Sequence, residues 1–273
     1  MQDSLNEFIK NIKSLEIQGA KEVAIESLKF LRKLAKKKGF GKEFNRTAKK
    51  IEKTRPTEVI LHNCLEIVKR EKNVKAINRL IRQLNKATKE IAKRGSRLIK
   101  DNYKIMTHCH SGEALAVIEQ AWKEGKKITV YATETRPKEQ GIKTARELCR
   151  KGIHVFLIVD SAIEYFIKYV DIVIVGSDAI RKDGVVNKIG TYPLAVVAKE
   201  HKKPFYVVGD TLKLDKRKKL IIEMRRPEEI YKEYIKDLKE KNPAFDVTPW
   251  KYIKRVVTEK GIMTPANVLR MLK

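Results

Sequence analysis

The chain has 273 residues, 42% apolar and 35% charged, with 61 Lys and Arg against 34 Asp and Glu for a formal net charge of +27. That is enough apolar material for a core in one large or two ordinary domains, and too much for a disordered chain. Basic residues run along the whole sequence, which favours polyanions or small phosphorylated ligands; with no RNP-like aromatic motif, KH loop or zinc finger, nucleic acid rests on charge alone. The cysteines, Cys64, Cys109 and Cys149, are odd in number and irregularly spaced, so neither a disulfide framework nor a structural zinc site is expected. There is no run of 18 apolar residues and no secretory start, so no membrane span is expected, and the protein should be cytoplasmic with reduced thiols.

Residues 1–100 read as an N-terminal helical domain. Ala24, Leu28, Leu31 and Ala35 recur on one helical face. Pro56 opens a helix through Ile60, Leu61, Leu65 and Val68, although Val59-Ile60-Leu61 could pass for a short strand. A third helix covers about 73–95 and stops at Gly95. From 101 to 273 the pattern becomes strands alternating with helices. The strands are Lys104 to Cys109, Lys127 to Thr133, His154 to Val159, Ile172 to Val175 and Phe205 to Val208. The helices are Glu113 to Glu124, Gly141 to Lys151, Ala162 to Tyr169 and Pro193 to His201. This predicts an α/β fold, a helical domain followed by a Rossmann-like, doubly wound, mostly parallel sheet with right-handed crossovers. A ligand site in such a sheet lies at the carboxyl ends of the strands.

Polar segments follow three of those strands: Thr107-His108-Cys109-His110-Ser111-Gly112, Thr133-Glu134-Thr135-Arg136-Pro137 and Gly176-Ser177-Asp178. Cys109 sits between a strand and a helix start, where free amides and nearby cations would favour a thiolate, a base or nucleophile that alkylates faster than Cys64 or Cys149. An inert buried thiol is the alternative. Asp178 ends the most apolar strand, so its carboxyl is either a partly desolvated acid or a helix cap. His108 and His110 share one face of an extended segment, but no third metal ligand can be placed. Arg136 and Arg55 each stand in a Thr-Arg-Pro tripeptide, suited to a phosphate or carboxylate or simply exposed. Asn187-Lys188-Ile189-Gly190-Thr191 precedes a helix, and its amides with Lys188 could cradle an anion or form an ordinary loop. Neither GxGxxG nor GxxxxGK[ST] is present, which counts against dinucleotide and P-loop chemistry.

These segments resemble the family of methylthioribose-1-phosphate isomerases, archaeal ribose-1,5-bisphosphate isomerases and regulatory subunits of translation initiation factor 2B. The matching runs are Thr107-His108-Cys109, Thr133 to Pro137 with Gln140-Gly141, Val175-Gly176-Ser177-Asp178 and Asn187 to Thr191. Asn242-Pro243-Ala244-Phe245-Asp246-Val247-Thr248-Pro249 and Thr258-Glu259-Lys260-Gly261-Ile262 continue the match. The resemblance implies Cys109 and Asp178 as the catalytic pair of the isomerase branches. It assigns substrate contacts to Gly19, Ala20, Lys21, Arg55, Asn187, Lys188 and Lys213, with Arg136 a further cation for a phosphate. It implies isomerisation of a C1-phosphorylated sugar, ribose 1,5-bisphosphate to ribulose 1,5-bisphosphate, in nucleoside-phosphate salvage, without a metal or organic cofactor. It also implies a homo-oligomer, a dimer or, as in the bisphosphate branch, a hexamer. The alternative within the family is a non-catalytic regulatory protein like the initiation-factor alpha subunit. The chain departs from the isomerase pattern at Gln18-Gly19-Ala20-Lys21, where the family carries Arg-Gly-Ala-Gly. It also looks one residue shorter between Asp183-Gly184 and Asn187-Lys188.

Overall fold

A computed structural model describes residues 2–14, 19–55, 57–233 and 235–273; Gln18 and Pro56 lie outside the described residues. The chain divides into two compact units, Met1–Ala87 and Thr88–Lys273. The division falls inside a helix, ahead of the expected boundary at residue 100. The physical reason is that Ile91 and Ile99 already belong to the second unit's core, and Gly95 lies so close to Val117 that an added Cβ would sit 2.5 Å from it.

The first unit is helical: α1 (Gln2–Lys13), α2 (Ala20–Lys38), α3 (Lys42–Glu52), α4 (Val59–Glu71) and the start of α5 (Val74–Gly95). Ala24, Leu28, Leu31 and Ala35 are all buried, as their spacing requires. The strand-like Val59-Ile60-Leu61 begins α4, fully buried, because Cys64, Leu65 and Val68 continue the apolar face at helical spacing. Asn73 starts α5 by accepting the Ala76 N–H at 2.7 Å.

In the second unit, β1 (Lys104–Thr107), α6 (Gly112–Lys123), β2 (Thr129–Thr133), α7 (Gln140–Cys149), β3 (His154–Ile158), α8 (Ile163–Ile167) and β4 (Ile172–Val175) alternate as expected. Then come β5 (Ala179–Ile180), β6 (Val185–Lys188), α9 (Thr191–Glu200), β7 (Phe205–Val208), β8 (Phe245–Thr248), β9 (Arg255–Thr258), β10 (Gly261–Met263) and α10 (Pro265–Met271). Seven strands form one sheet in the order β10-β9-β7-β4-β1-β2-β3, parallel except for the β9–β10 hairpin. The α/β, doubly wound class is therefore the fold of this unit. β4 is buried on both faces, as a central parallel strand must be. One apolar layer gathers around Val173, Val175, Leu194 and Phe205, the other around Ile105, Ile118, Val130 and Ile174.

The chain runs outward from β1 through β2 to β3, then returns to place β4 on the other side of β1. That reversal opens a crevice beyond the carboxyl ends of β1 and β4. Met106 pairs with Val173, so the segments holding Cys109 and Gly176-Ser177-Asp178 leave the sheet side by side. A second, antiparallel sheet, β5-β6-β8, follows β4. It places Asn187 and Lys188 on a strand rather than in the expected loop, because Val185-Val186 pairs with Val247-Thr248. Among the described residues no helix is long and apolar enough to cross a membrane.

Candidate active site

Cys109 follows β1 in the left-handed region at φ 69°, and Thr135 after β2 does the same at φ 63°. Such conformations cost non-glycine residues on the order of 1–3 kcal/mol each and persist only where neighbours hold them. Here the Cys109 N–H donates to Thr135 Oγ1 at 2.8 Å, the Thr135 N–H donates to Asp160 at 2.9 Å, and Thr144 Oγ1 donates to the Cys109 carbonyl at 2.9 Å. His108 is buried beneath them. Its Nε2 lies 2.8 Å from the Ile189 carbonyl, which can only accept, so Nε2 carries the proton and Nδ1 accepts from Thr133 Oγ1 at 2.7 Å. Burial holds His108 below its ordinary pKa, so it stays neutral. His110 turns away to Thr144 and Glu147, so the two histidines do not act together.

Burial pushes the Cys109 thiol up to about 11. Lys188 and the His110 N–H pull it down, while Asp178 and Asp160 push it further up. The thiolate expected from the helix start is therefore a thiol in the unliganded protein. The start of α6 is capped by its own Ser111, whose Oγ accepts the Ala114 N–H, and desolvation outweighs the remaining favourable groups.

Asp178 is half-buried, its N–H bonded to the Val186 carbonyl at 2.8 Å, and it acts electrostatically on both Cys109 and Lys213. Gly176 is required here, since a Cβ would lie 2.3 Å from Ser111 Oγ. Asn187 is buried and donates to Thr191 Oγ1 at 3.0 Å. Lys188 lies over the Phe245 ring at 5.0 Å, its neighbour on β8, and its charge reaches Cys109. The amides expected to cradle an anion are already taken: Asp246 accepts from the Gly190 N–H at 2.8 Å and the Tyr192 N–H at 3.1 Å. Burial raises Asp246 to about 6, against the pull of those amides.

Lys213, 4% exposed, forms an ion pair at 3.0 Å with Glu113, whose side chain is 9% exposed. Asp178 and Asp210 also face the ammonium, and together these carboxylates hold it protonated despite burial. Burial raises Asp210 to about 6, opposed by the Leu212 N–H.

The other expected contacts lie apart from this cluster or in the other unit. Arg136 is exposed and pairs with Glu139 at 3.0 Å, while its N–H donates to Asp160. In the first unit Arg55 pairs with Glu58 at 3.2 Å and reaches the Ile12 carbonyl. Gly19 caps α2 at φ 85°, Ala20 opens that helix, and Lys21 is half-buried in its first turn. Among the described residues, the one group with metal-ligand spacing is Glu52, His62 and Glu66, and the Lys69 ammonium already bonds both carboxylates.

Residues 16–265 match the Initiation factor 2 subunit family. The chain belongs to that family. It is 39% identical over 284 residues to the ribose 1,5-bisphosphate isomerase of Methanocaldococcus jannaschii, covering 96% of this chain and 92% of that protein. It is 38% identical over 297 residues to the methylthioribose-1-phosphate isomerase of Acetivibrio thermocellus, covering 95% and 86%. The structure of the translation initiation factor eIF-2B of Pyrococcus horikoshii superimposes with a TM-score of 0.87 at 30% identity, covering 97% and 98%. This member of the family is an isomerase-type enzyme.

Several residues around the pair escaped the reading of the sequence. Glu113 looked like an ordinary acidic residue in a first helical turn, Asp160 like the end of a strand, and Thr133 like strand interior. Their common signal is polarity directly after or before an apolar strand, which the sequence also displays at many inert positions.

Proposed function

We propose that the enzyme converts ribose 1,5-bisphosphate to ribulose 1,5-bisphosphate, with Cys109 as base and Asp178 as acid. The observation that carries the reading is the placement of these two groups on adjacent strand ends at the sheet's reversal point, each acting electrostatically on the other, with Lys188 facing the thiol. The likeness to the M. jannaschii protein supports the choice of substrate.

A sugar phosphorylated at C1 is locked as a ring, so a free aldehyde is not available for enolisation. Asp178 gives its proton to the ring oxygen as the ring opens. Cys109 takes the C2 proton and returns it to C1, and the Asp178 carboxylate takes the C2 hydroxyl proton as the ketone forms. The reactive state therefore has a proton on the carboxyl and none on sulfur. A proton passed from the thiol to the carboxylate produces that state without changing net charge, and Lys188 favours it by stabilising the thiolate. Asn187 and Lys188 serve as substrate contacts in this reading. Gly19, Ala20, Lys21 and Arg55 are assigned by the family pattern, and each assignment is tested by the KM of its own variant.

Exposed Phe156, Leu157, Val159, Tyr165 and Tyr169, on and beside the edge strand β3, support a homo-oligomer in which a second copy covers this edge. Sedimentation of Leu157→Glu against the unaltered protein tests that; an unchanged mass would refute it.

The decisive experiment mixes the purified protein with ribose 1,5-bisphosphate and follows products by NMR beside Cys109→Ser. The expected result is conversion that disappears in the variant. Binding without conversion would instead favour a regulatory protein of the initiation-factor kind.

A further inference from the structure

We propose that Glu113 is a positioning residue for the isomerase reaction: by holding the Lys213 ammonium it keeps Asp178 able to carry a proton. The inference rests on the acid role of Asp178 proposed above. Its basis is an arrangement that spans three neighbouring strand ends. Glu113 enters from the start of α6, after β1; Asp178 follows β4; and Lys213 follows β7.

The ammonium cannot withdraw. Its stem passes Gly209, where an added Cβ would lie 3.3 Å from Lys213 Cδ and 2.1 Å from the Oγ of Ser177, the residue before Asp178. Its segment is tied to the residues just past Asp178, since the Asp215 N–H donates to the Ile180 carbonyl at 2.8 Å and Arg181 bonds Asp215 at 2.7 Å. A buried ammonium fixed in this way takes its counter-charge from whichever carboxyl is at hand. Glu113 supplies one at 3.0 Å and is itself oriented by Ser111 Oγ, which donates to its other oxygen at 3.3 Å.

The remaining groups around this space are few. Cys109 comes from the segment after β1, Lys188 from β6, and Asp210 from the segment after β7, with Asp160 facing Cys109 and Glu259 facing Asp210. Asp210 already accepts the Leu212 N–H. Without the Glu113 charge, Asp178 becomes the principal counter-ion of Lys213. Ionised for that purpose, it is no longer an acid at the pH where it must protonate the ring oxygen. Glu113 therefore sets the upper pH limit of turnover.

The test labels aspartate carboxyl carbons with carbon-13 and titrates the intact protein and Glu113→Gln by NMR, with Asp178→Asn identifying the signal. The expected result is a fall of about one pH unit or more in the Asp178 midpoint, as for a carboxyl gaining a cationic neighbour. The upper limb of the kcat profile should move down with it while KM moves less. Adding Lys213→Met to Glu113→Gln should return the midpoint toward its original value, which a merely structural role would not do. If Glu113→Gln does not fold, Glu113→Asp, with a longer and weaker pair, should show an intermediate shift. An Asp178 midpoint unmoved in the folded variants would overturn the inference, with Asp210 taking the ammonium instead. A moved midpoint in a protein that does not turn over ribose 1,5-bisphosphate would overturn the proposed reaction and leave the Glu113 coupling standing.

Discussion

The thiol of Cys109 offers a direct test of how this site is built, because local and tertiary reasoning predict opposite results. A cysteine at a helix start should be an unusually reactive thiolate. Burial instead lifts Cys109 to about 11, which leaves about one part in ten thousand ionised at pH 7. An ordinary thiol near 8.5 is about 3% ionised there, roughly 300-fold more. A more basic thiolate is also a better nucleophile: a Brønsted slope of about 0.4–0.5 over about 2.5 pH units recovers roughly 10- to 18-fold. Cys109 should therefore alkylate about 15- to 30-fold more slowly than an ordinary exposed thiol at pH 7, before any steric hindrance.

Iodoacetamide labelling followed by peptide mass spectrometry reads this against exposed Cys149 in the same molecule. The Cys109 rate should rise about tenfold for each pH unit through pH 10, since ionisation remains incomplete there. Asp178→Asn should speed it by removing a charge that opposes the thiolate, and Lys188→Met should slow it by removing one that favours it. A rate that levels off below about pH 8, or exceeds that of Cys149 at pH 7, would refute the argument that desolvation dominates this site.

Gly176→Ala should misplace the catalytic pair: its Cβ would meet Ser111 Oγ at 2.3 Å and Ser111 Cβ at 2.5 Å, so the α6 cap must shift. The expected cost is about 1–3 kcal/mol in urea unfolding, with a larger loss of kcat than of stability; an unchanged kcat would show that the cap and pair are uncoupled. Asp210→Asn should stabilise the protein by about 1–2 kcal/mol at pH 8 and not at pH 4. The folded carboxyl is raised to about 6, so its contribution is present below the unfolded value and lost as pH rises through 6; equal effects at the two pH values would contradict this. His108→Leu should cost about 2–4 kcal/mol, because Thr133 Oγ1 and the Ile189 carbonyl lose a buried partner. The native imidazole has a depressed pKa, so stability is lost as pH falls below about 6.5, and the variant should lose less over that range.

The strand-by-strand order of the main sheet was readable because Ile172–Val175 and Phe205–Val208 are uninterrupted apolar runs, and the helices between strands carry their own periodicity. The positions of Cys109 and Asp178 followed from that order, since each is polar immediately after such a run. The sign of the thiol's shift did not follow, because amides and nearby cations are local features while desolvation is a property of the packed chain. The second sheet was hidden for a related reason. Its strands are short, and β6 finds β8 only after a connection that includes α9 and β7.

That pairing decides the fate of the supposed anion cradle. Asn187 stands opposite Asp246, and the Asp246 carboxylate then caps the start of α9. Glu113 meets Lys213 across 100 residues in the same manner. In both places a charge that looked available for substrate is engaged by the chain's own carboxylate. Lys188 differs: its ammonium lies over an aromatic face, and its charge reaches the Cys109 thiol. A cation held by a ring, rather than neutralised by a carboxylate, retains more of its field at sulfur. By this reasoning Lys188, more than Lys213, is the group that makes a thiolate attainable once substrate is bound.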